Sequence, residues 1–298
     1  MKKHHSALAL SAVAVTLVVS GCTAHTSTSI QSAAQPVTQA QFITLQLRES
    51  TSDFALYLRQ QAEQLDGGTA EFAAAYQSGD TVLAQALYAP TRMFYNRMLV
   101  ARSEFSDLAA RIDGPDPALG PLNTRATAGT VLSGWQAIES DLYPVAGQPA
   151  LTVEQRTALA TALTTDTHSL SEAVYGLSLT TDEQTAGAAA LIATLATEAA
   201  NGTKDSLSQS GVSDLQGYVD GARIVFDGIR AVLVTQDAAL ATRLDHQFVA
   251  VQDALNSYRV GVTFMTYDKL SESEVDSLRS DVADLAASLA RVEPTMGL

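Results

Sequence analysis

The chain has 298 residues, 46% of them apolar, and 18 Lys plus Arg against 32 Asp plus Glu give a formal net charge of −14. Phosphate backbones are bound by clustered cationic side chains, so this balance sets nucleic acid aside as a partner. The single cysteine excludes an internal disulfide and a paired-thiolate metal site.

The N-terminus, MKKHHSALALSAVAVTLVVSGC, places two lysines before an apolar run from Ala7 to Val19. That run is shorter than the roughly 20 residues a membrane span needs, and residues 1–21 read as a signal peptide. Val19-Ser20-Gly21-Cys22 looks like a bacterial lipobox, which makes Cys22 the lipidation site and the anchor to a membrane in the cell envelope, on its extracytoplasmic face. Each buried acyl methylene contributes about 0.8 kcal/mol to such anchoring. Loss of residues 1–21, with Lys2 and Lys3, takes the formal charge to −16. An acidic surface attracts cations, although it also serves solubility. Residues 22–37 are small, polar and nearly uncharged, a composition that cannot bury enough apolar surface to order itself, and they read as a tether containing His25.

From residue 38 onwards apolar residues recur at intervals of three and four, the period of a helix. Helices are predicted over 38–66, 69–77, 80–111 with a break at Pro90, 124–142, 152–175, 181–200, 213–234, 237–259 and 271–292. Gly67-Gly68, Pro144 and Asn201-Gly202 supply the stops. Hydroxyl residues followed three positions later by Glu or Gln mark capping boxes at Thr152, Thr180, Ser213 and Ser271. Leu240, Leu244, Phe248, Val251, Leu255 and Tyr258 form one stripe that belongs to a core. The predicted fold is an all-α helical bundle of eight or nine helices. Residues 38–298 form its domain, with possible four-helix-bundle-like halves 38–146 and 147–298.

Strong enzyme signatures are missing: the sequence has no His-Glu-x-x-His, Gly-x-Ser-x-Gly or phosphate-cradling glycine loop. His4 and His5 leave with the signal, and His168 and His246 are scattered. The expectation is a protein that is not an enzyme.

Gln136 and Glu139 lie three apart on a predicted helix, a spacing that lets two side chains share one cation. Around them, FAAAYQSGDTVLAQALYAPTRMFYNRM (72–98), EFSDLAARIDGPDP (104–117) and GWQAIESDLYP (134–144) resemble the imelysin-like family, which includes iron-uptake proteins of the EfeO and EfeM type. The resemblance continues through SDLQGYVDGAR (213–223), TQDAALATRLDHQFVAVQDALNSYR (235–259) and YDKLSESEVDSLRSDVADLAASLARV (267–292). It implies an exported all-α protein of the shorter type, without a cupredoxin-like domain. It also implies iron or another metal ion as the ligand, and an iron permease and a haem peroxidase as partners. The family segment reads Gly-aromatic-His-x-x-Glu, with His and Glu as proposed ligands. Here Gly134, Trp135 and Glu139 match, while Gln136 replaces His. Acidic family positions have become Asn96, Leu99 and Ser103, and a Leu-Asp pair has become Leu108-Ala109. The resemblance thus points to Glu139, Gln136, Asp113 and Asp116 as metal residues, supported by Arg92, Tyr95, Trp135 and Asp214. A Gln carbonyl is a weaker ligand than imidazole for transition metals, so the expected site is eroded and suited to a loosely held hard cation. The alternative is an envelope lipoprotein that kept the fold, lost the metal and works as a protein-binding module.

Overall fold

A capping box opens the first helix: the Thr38 hydroxyl accepts the Gln41 N–H at 3.2 Å, and the Gln41 side chain accepts the Thr38 N–H at 2.9 Å. The structure, a computed structural model, describes residues 38–113, 133–147, 149–201 and 207–298. The predicted signal peptide, Cys22, the predicted tether and Asp116 lie outside them. In chain order the α-helices are α1 (Gln39–Ser78), α2 (Thr81–Met98), α3 (Ser106–Asp113), α4 (Gly134–Leu142), α5 (Val153–Tyr175), α6 (Thr181–Asn201), α7 (Gly211–Gln236), α8 (Ala238–Ser257), α9 (Glu272–Leu289) and α10 (Val292–Met296). The all-α reading holds. Among the described residues only one hairpin is extended, β1 (Arg259–Val260) paired antiparallel with β2 (Thr263–Phe264). No described helix is long and apolar enough to cross a membrane.

Two predicted breaks are corrected. Gly67-Gly68 does not stop α1, which runs on to Ser78 and ends at Gly79 with φ 79°. A helical glycine costs only about 1 kcal/mol relative to alanine, and the buried Leu65, Thr69 and Phe72 around the pair hold the helix in place. Gly68 also lets α2 approach, since a Cβ there would lie 3.2 Å from Thr91 Cγ2. Pro90 likewise lies inside an unbroken α2, where buried Tyr88, Thr91, Arg92 and Tyr95 anchor both sides of the lost hydrogen bond. The break comes later, in a 3-10 segment over Leu99–Phe105 with Ala101 at φ −97°, ψ 18°.

The boxes at Thr152 and Ser271 form as predicted, and Thr180 exchanges bonds with Glu183. Ser213 does not cap: α7 starts two residues earlier, and Ser213 is buried in its first turn. Ser210 holds the N-cap position without a capping bond, because its hydroxyl donates to Asp214 Oδ2 at 3.1 Å. The stripe from Leu240 to Tyr258 is buried throughout.

α7 is the central helix, buried on every side from Gly211 to Val219 and along one face from there to Leu233, as expected of a helix whose first half is enclosed by others. It packs against α1, α2, α6 and α8, while α1 also packs on α2 and α5, and α9 on α6 and α8. Its small residues set the spacing: a Cβ on Gly217 would lie 2.7 Å from Asn96 Cβ, and one on Gly221 would lie 2.4 Å from the Arg97 carbonyl oxygen. This close approach of α2 and α7 brings Arg92 and Asn96 to Asp214.

Candidate cation site

Glu139 is positioned by the start of its own helix. Gly134 adopts φ +52°, and its α-carbon sits so close to the end of α3 that an added Cβ would lie 2.0 Å from the Ile112 carbonyl oxygen. Trp135 then inserts between Phe72 and Tyr88, with ring centroids 4.9 and 5.5 Å away. This wedge seats α4 against α1 and α2. At its far end Asp141 accepts from the Tyr76 hydroxyl at 2.9 Å, the Leu151 N–H at 3.1 Å and Arg156 Nε at 2.7 Å. Burial alone would raise the Asp141 pKa, but these donors, Arg156 foremost, hold it below the usual carboxylate value.

Arg92 is the centre of the site and is 1% exposed. Its Nη1 donates to the Tyr88 hydroxyl at 2.7 Å. Nη2 lies 3.2 Å from Asp113 Oδ1, and Nε lies 3.9 Å from Asp214 Oδ1. Both contacts are ion pairs without hydrogen-bond geometry. Asp214, also 1% exposed, gains its close bonds elsewhere, from Asn96 Nδ2 at 2.7 Å and the Ser210 hydroxyl at 3.1 Å. Ser210 Oγ in turn lies 3.0 Å from Ser208 Oγ. Ser208 closes the chain of contacts: its N–H at 3.0 Å and its hydroxyl both donate to Glu139 Oε1. Asp113, Asp214 and Glu139 are therefore linked through one arginine and two serines.

The predicted residues divide accordingly. Glu139, Asp113, Arg92 and Asp214 come together, and Trp135 braces them. Tyr95 is a packing residue, its hydroxyl donating to the Ala109 carbonyl at 3.4 Å. Gln136 is half-buried one turn before Glu139. No described group of three His, Cys, Asp or Glu side chains stands close enough to hold a metal ion. Ser208, Ser210 and Tyr88 were missed. The only signal for the two serines was their place just before the SDLQGYVDGAR segment, where Ser213 drew the capping assignment. The two described histidines lie elsewhere: exposed His168 pairs with Asp66 at 3.1 Å, and His246 lines an open groove with Arg243, Asp281 and Asp284.

Burial raises the Asp113 pKa from 3.8 to about 6; Arg92 opposes the shift, while Asp214 and Glu139 add to it. A carboxyl with a raised folded pKa favours the folded state fully below its unfolded pKa, and that contribution is lost as pH rises through the folded value. Asp113→Asn is therefore expected to flatten the decline in stability between pH 4 and 6, read from urea midpoints at half-unit steps. A variant whose profile parallels the parent would show that Asp113 stays ionised.

The same arrangement of segments is found in known proteins. A profile of the imelysin family matches residues 51–292. The chain is 30% identical over 255 residues to the iron uptake system component EfeM of Pseudomonas syringae pv. syringae, covering 85% of this chain and 86% of that protein. It is 29% identical over 247 residues to the iron uptake system component EfeO of Yersinia pseudotuberculosis, with 83% of this chain and 64% of that protein covered. The figures for EfeO of Escherichia coli are 29% over 254 residues, 85% and 65%. The chain thus spans less than two thirds of these EfeO proteins. With the profile covering most of its length, the chain belongs to the imelysin family.

Proposed function

We propose that this chain is a lipid-anchored extracytoplasmic component of an iron-uptake system. In this reading it is held to the membrane through Cys22 and presents an iron ion to a permease, with a haem peroxidase as a further partner. It acts as a carrier and not as a catalyst. The observation that supports the reading is that Glu139, at the family's His-x-x-Glu position, is linked through Ser208, Ser210 and Arg92 to the buried Asp214 and Asp113, in a chain whose relatives include iron uptake components. Carboxylates are hard oxygen donors, and with Gln136 replacing an imidazole they suit a hard, exchangeable cargo ion better than a tightly held transition metal.

One observation favours the second reading, a protein-binding module with a vestigial site. Arg92 already supplies a positive charge to Asp113 and Asp214, so part of the negative charge of the cluster is offset without a metal. Titration calorimetry with ferrous and ferric ions, on the parent and on Gln136→His, separates the two. Micromolar binding by the parent is the expected result for a carrier. Binding that emerges only with Gln136→His would establish the vestigial reading.

A further inference from the structure

The open groove between α8 and α9 has a volume of about 500 Å³. Its α8 wall carries Arg243 and His246, with the small Ala239 and Ala250 at either end, and its α9 wall carries Asp281 and Asp284. The two helices run antiparallel: Gln247 Nε2 donates to the Asp284 carbonyl at 3.0 Å, and Tyr258 feels the charge of Glu274. The Gln247 bond fixes the spacing of the walls. Arg243 lies one turn nearer the start of α8 than Gln247, so a positive end and a negative end follow each other along the groove. These charges are unused within the chain. Arg223, Arg230 and Arg291 pair with Asp227, Asp245 and Asp237, whereas among the described residues Arg243, Asp281 and Asp284 make no ion pair. Partial burial and the neighbouring Asp284 hold the Asp281 carboxyl above its usual pKa, as expected of a carboxylate without a facing cation.

Small-molecule sites bury most of their ligand, and a groove walled by two helices and open along its length does not. A second copy of the chain fits it better. A half-turn about an axis through the groove near His246 lays α8 of one copy antiparallel along α8 of the other. It brings each Arg243 toward Asp281 and Asp284 of the other copy, the reciprocal pairing of an isologous contact. Ala239 and Ala250 leave room for that helix. We infer that the α8–α9 groove is the contact between two copies of this chain, held by Arg243 of each against Asp281 and Asp284 of the other. The net charge of −14 repels a second copy at long range. The pair is therefore transient, with an expected dissociation constant of about 10–100 μM. The inference goes beyond the carrier reading and does not depend on it.

The test is sedimentation equilibrium of the full chain in neutrally buoyant detergent, over about 5 to 500 μM, a range that brackets the expected constant. Arg243→Glu is expected to weaken self-association about tenfold or more, and Asp281→Arg with Asp284→Arg to do the same, because each leaves like charges facing across the axis. Arg243 and Asp284 are exposed and Asp281 is half-buried, so the helical circular dichroism of these variants should match the parent. An equimolar mixture of the two charge-reversed proteins should associate again, as should a chain carrying all three substitutions. A parent that stays monomeric throughout would overturn the inference. So would a dimer indifferent to Arg243→Glu, whose contact must lie elsewhere. Charge-reversed proteins that fail to recover on mixing would overturn it too, since the lost pairs would then have acted within one chain. None of these measurements involves a cation, so the carrier reading stands or falls separately.

Discussion

Replacing Arg92 by methionine is expected to destabilise the protein by about 3–5 kcal/mol, the range for removing one partner of a buried charge pair. Methionine keeps much of the apolar stem. The loss therefore comes from Asp113 and Asp214, 5% and 1% exposed, which would be left without the guanidinium between them. Tyr88 would lose its 2.7 Å bond as well. Charge, and not packing, is the cause, so the triple substitution Arg92→Met, Asp113→Asn, Asp214→Asn should recover most of the stability. Urea unfolding at pH 7.5 with a common m value measures both. A single-variant loss below about 1 kcal/mol would mean that water or protons reach the carboxylates easily, which would contradict the closed site.

Gly134→Ala is expected to cost about 3 kcal/mol or more, from a non-glycine residue held at positive φ together with overpacking. The clash is with backbone, 2.0 Å from the Ile112 carbonyl oxygen and 2.4 Å from that of Arg111, so no rotamer change can relieve it. Helix α4 would have to move off α3 and carry Trp135 out of its slot between Phe72 and Tyr88. Trp135 is the sole tryptophan, and its emission should shift to longer wavelength in the variant before any denaturant is added. Unchanged emission and an unchanged unfolding midpoint would show that the α3–α4 contact is not what seats Glu139.

What the sequence made legible follows the range of the interactions. The caps at Thr152, Thr180 and Ser271 involve neighbours three residues apart, and the α8 stripe is a property of one helix. Both could be read without tertiary information. Gly67-Gly68 and Pro90 misled because their local cost is about 1 to 3 kcal/mol, and packing of α1 against α2 outweighs it. Arg92, Asp113, Glu139 and Asp214 were identified through family resemblance, not through spacing. Ser208 stayed hidden because it reaches Glu139 across 69 positions from an irregular turn, where neither period nor cap marks a residue. Ser213 and Ser210 look alike in sequence, and only the start of α7 decides which stands at the helix end.

The Asn96–Asp214 bond joins residues 118 positions apart, and that separation governs when the site can exist. Contacts between distant segments are made late, after the loop entropy between them has been lost. The helical hairpin of α1 and α2 involves adjacent elements and can form early, but Arg92 within it then has neither Asp113 nor Asp214 at hand. A lone guanidinium cannot be buried at that stage, so the core around Tyr88 stays hydrated until α7 docks. Completion of the carboxylate cluster and expulsion of water from the centre of the bundle are then a single event in folding. An emerging chain holds no preformed carboxylate cluster; the cluster exists only when the molecule is whole.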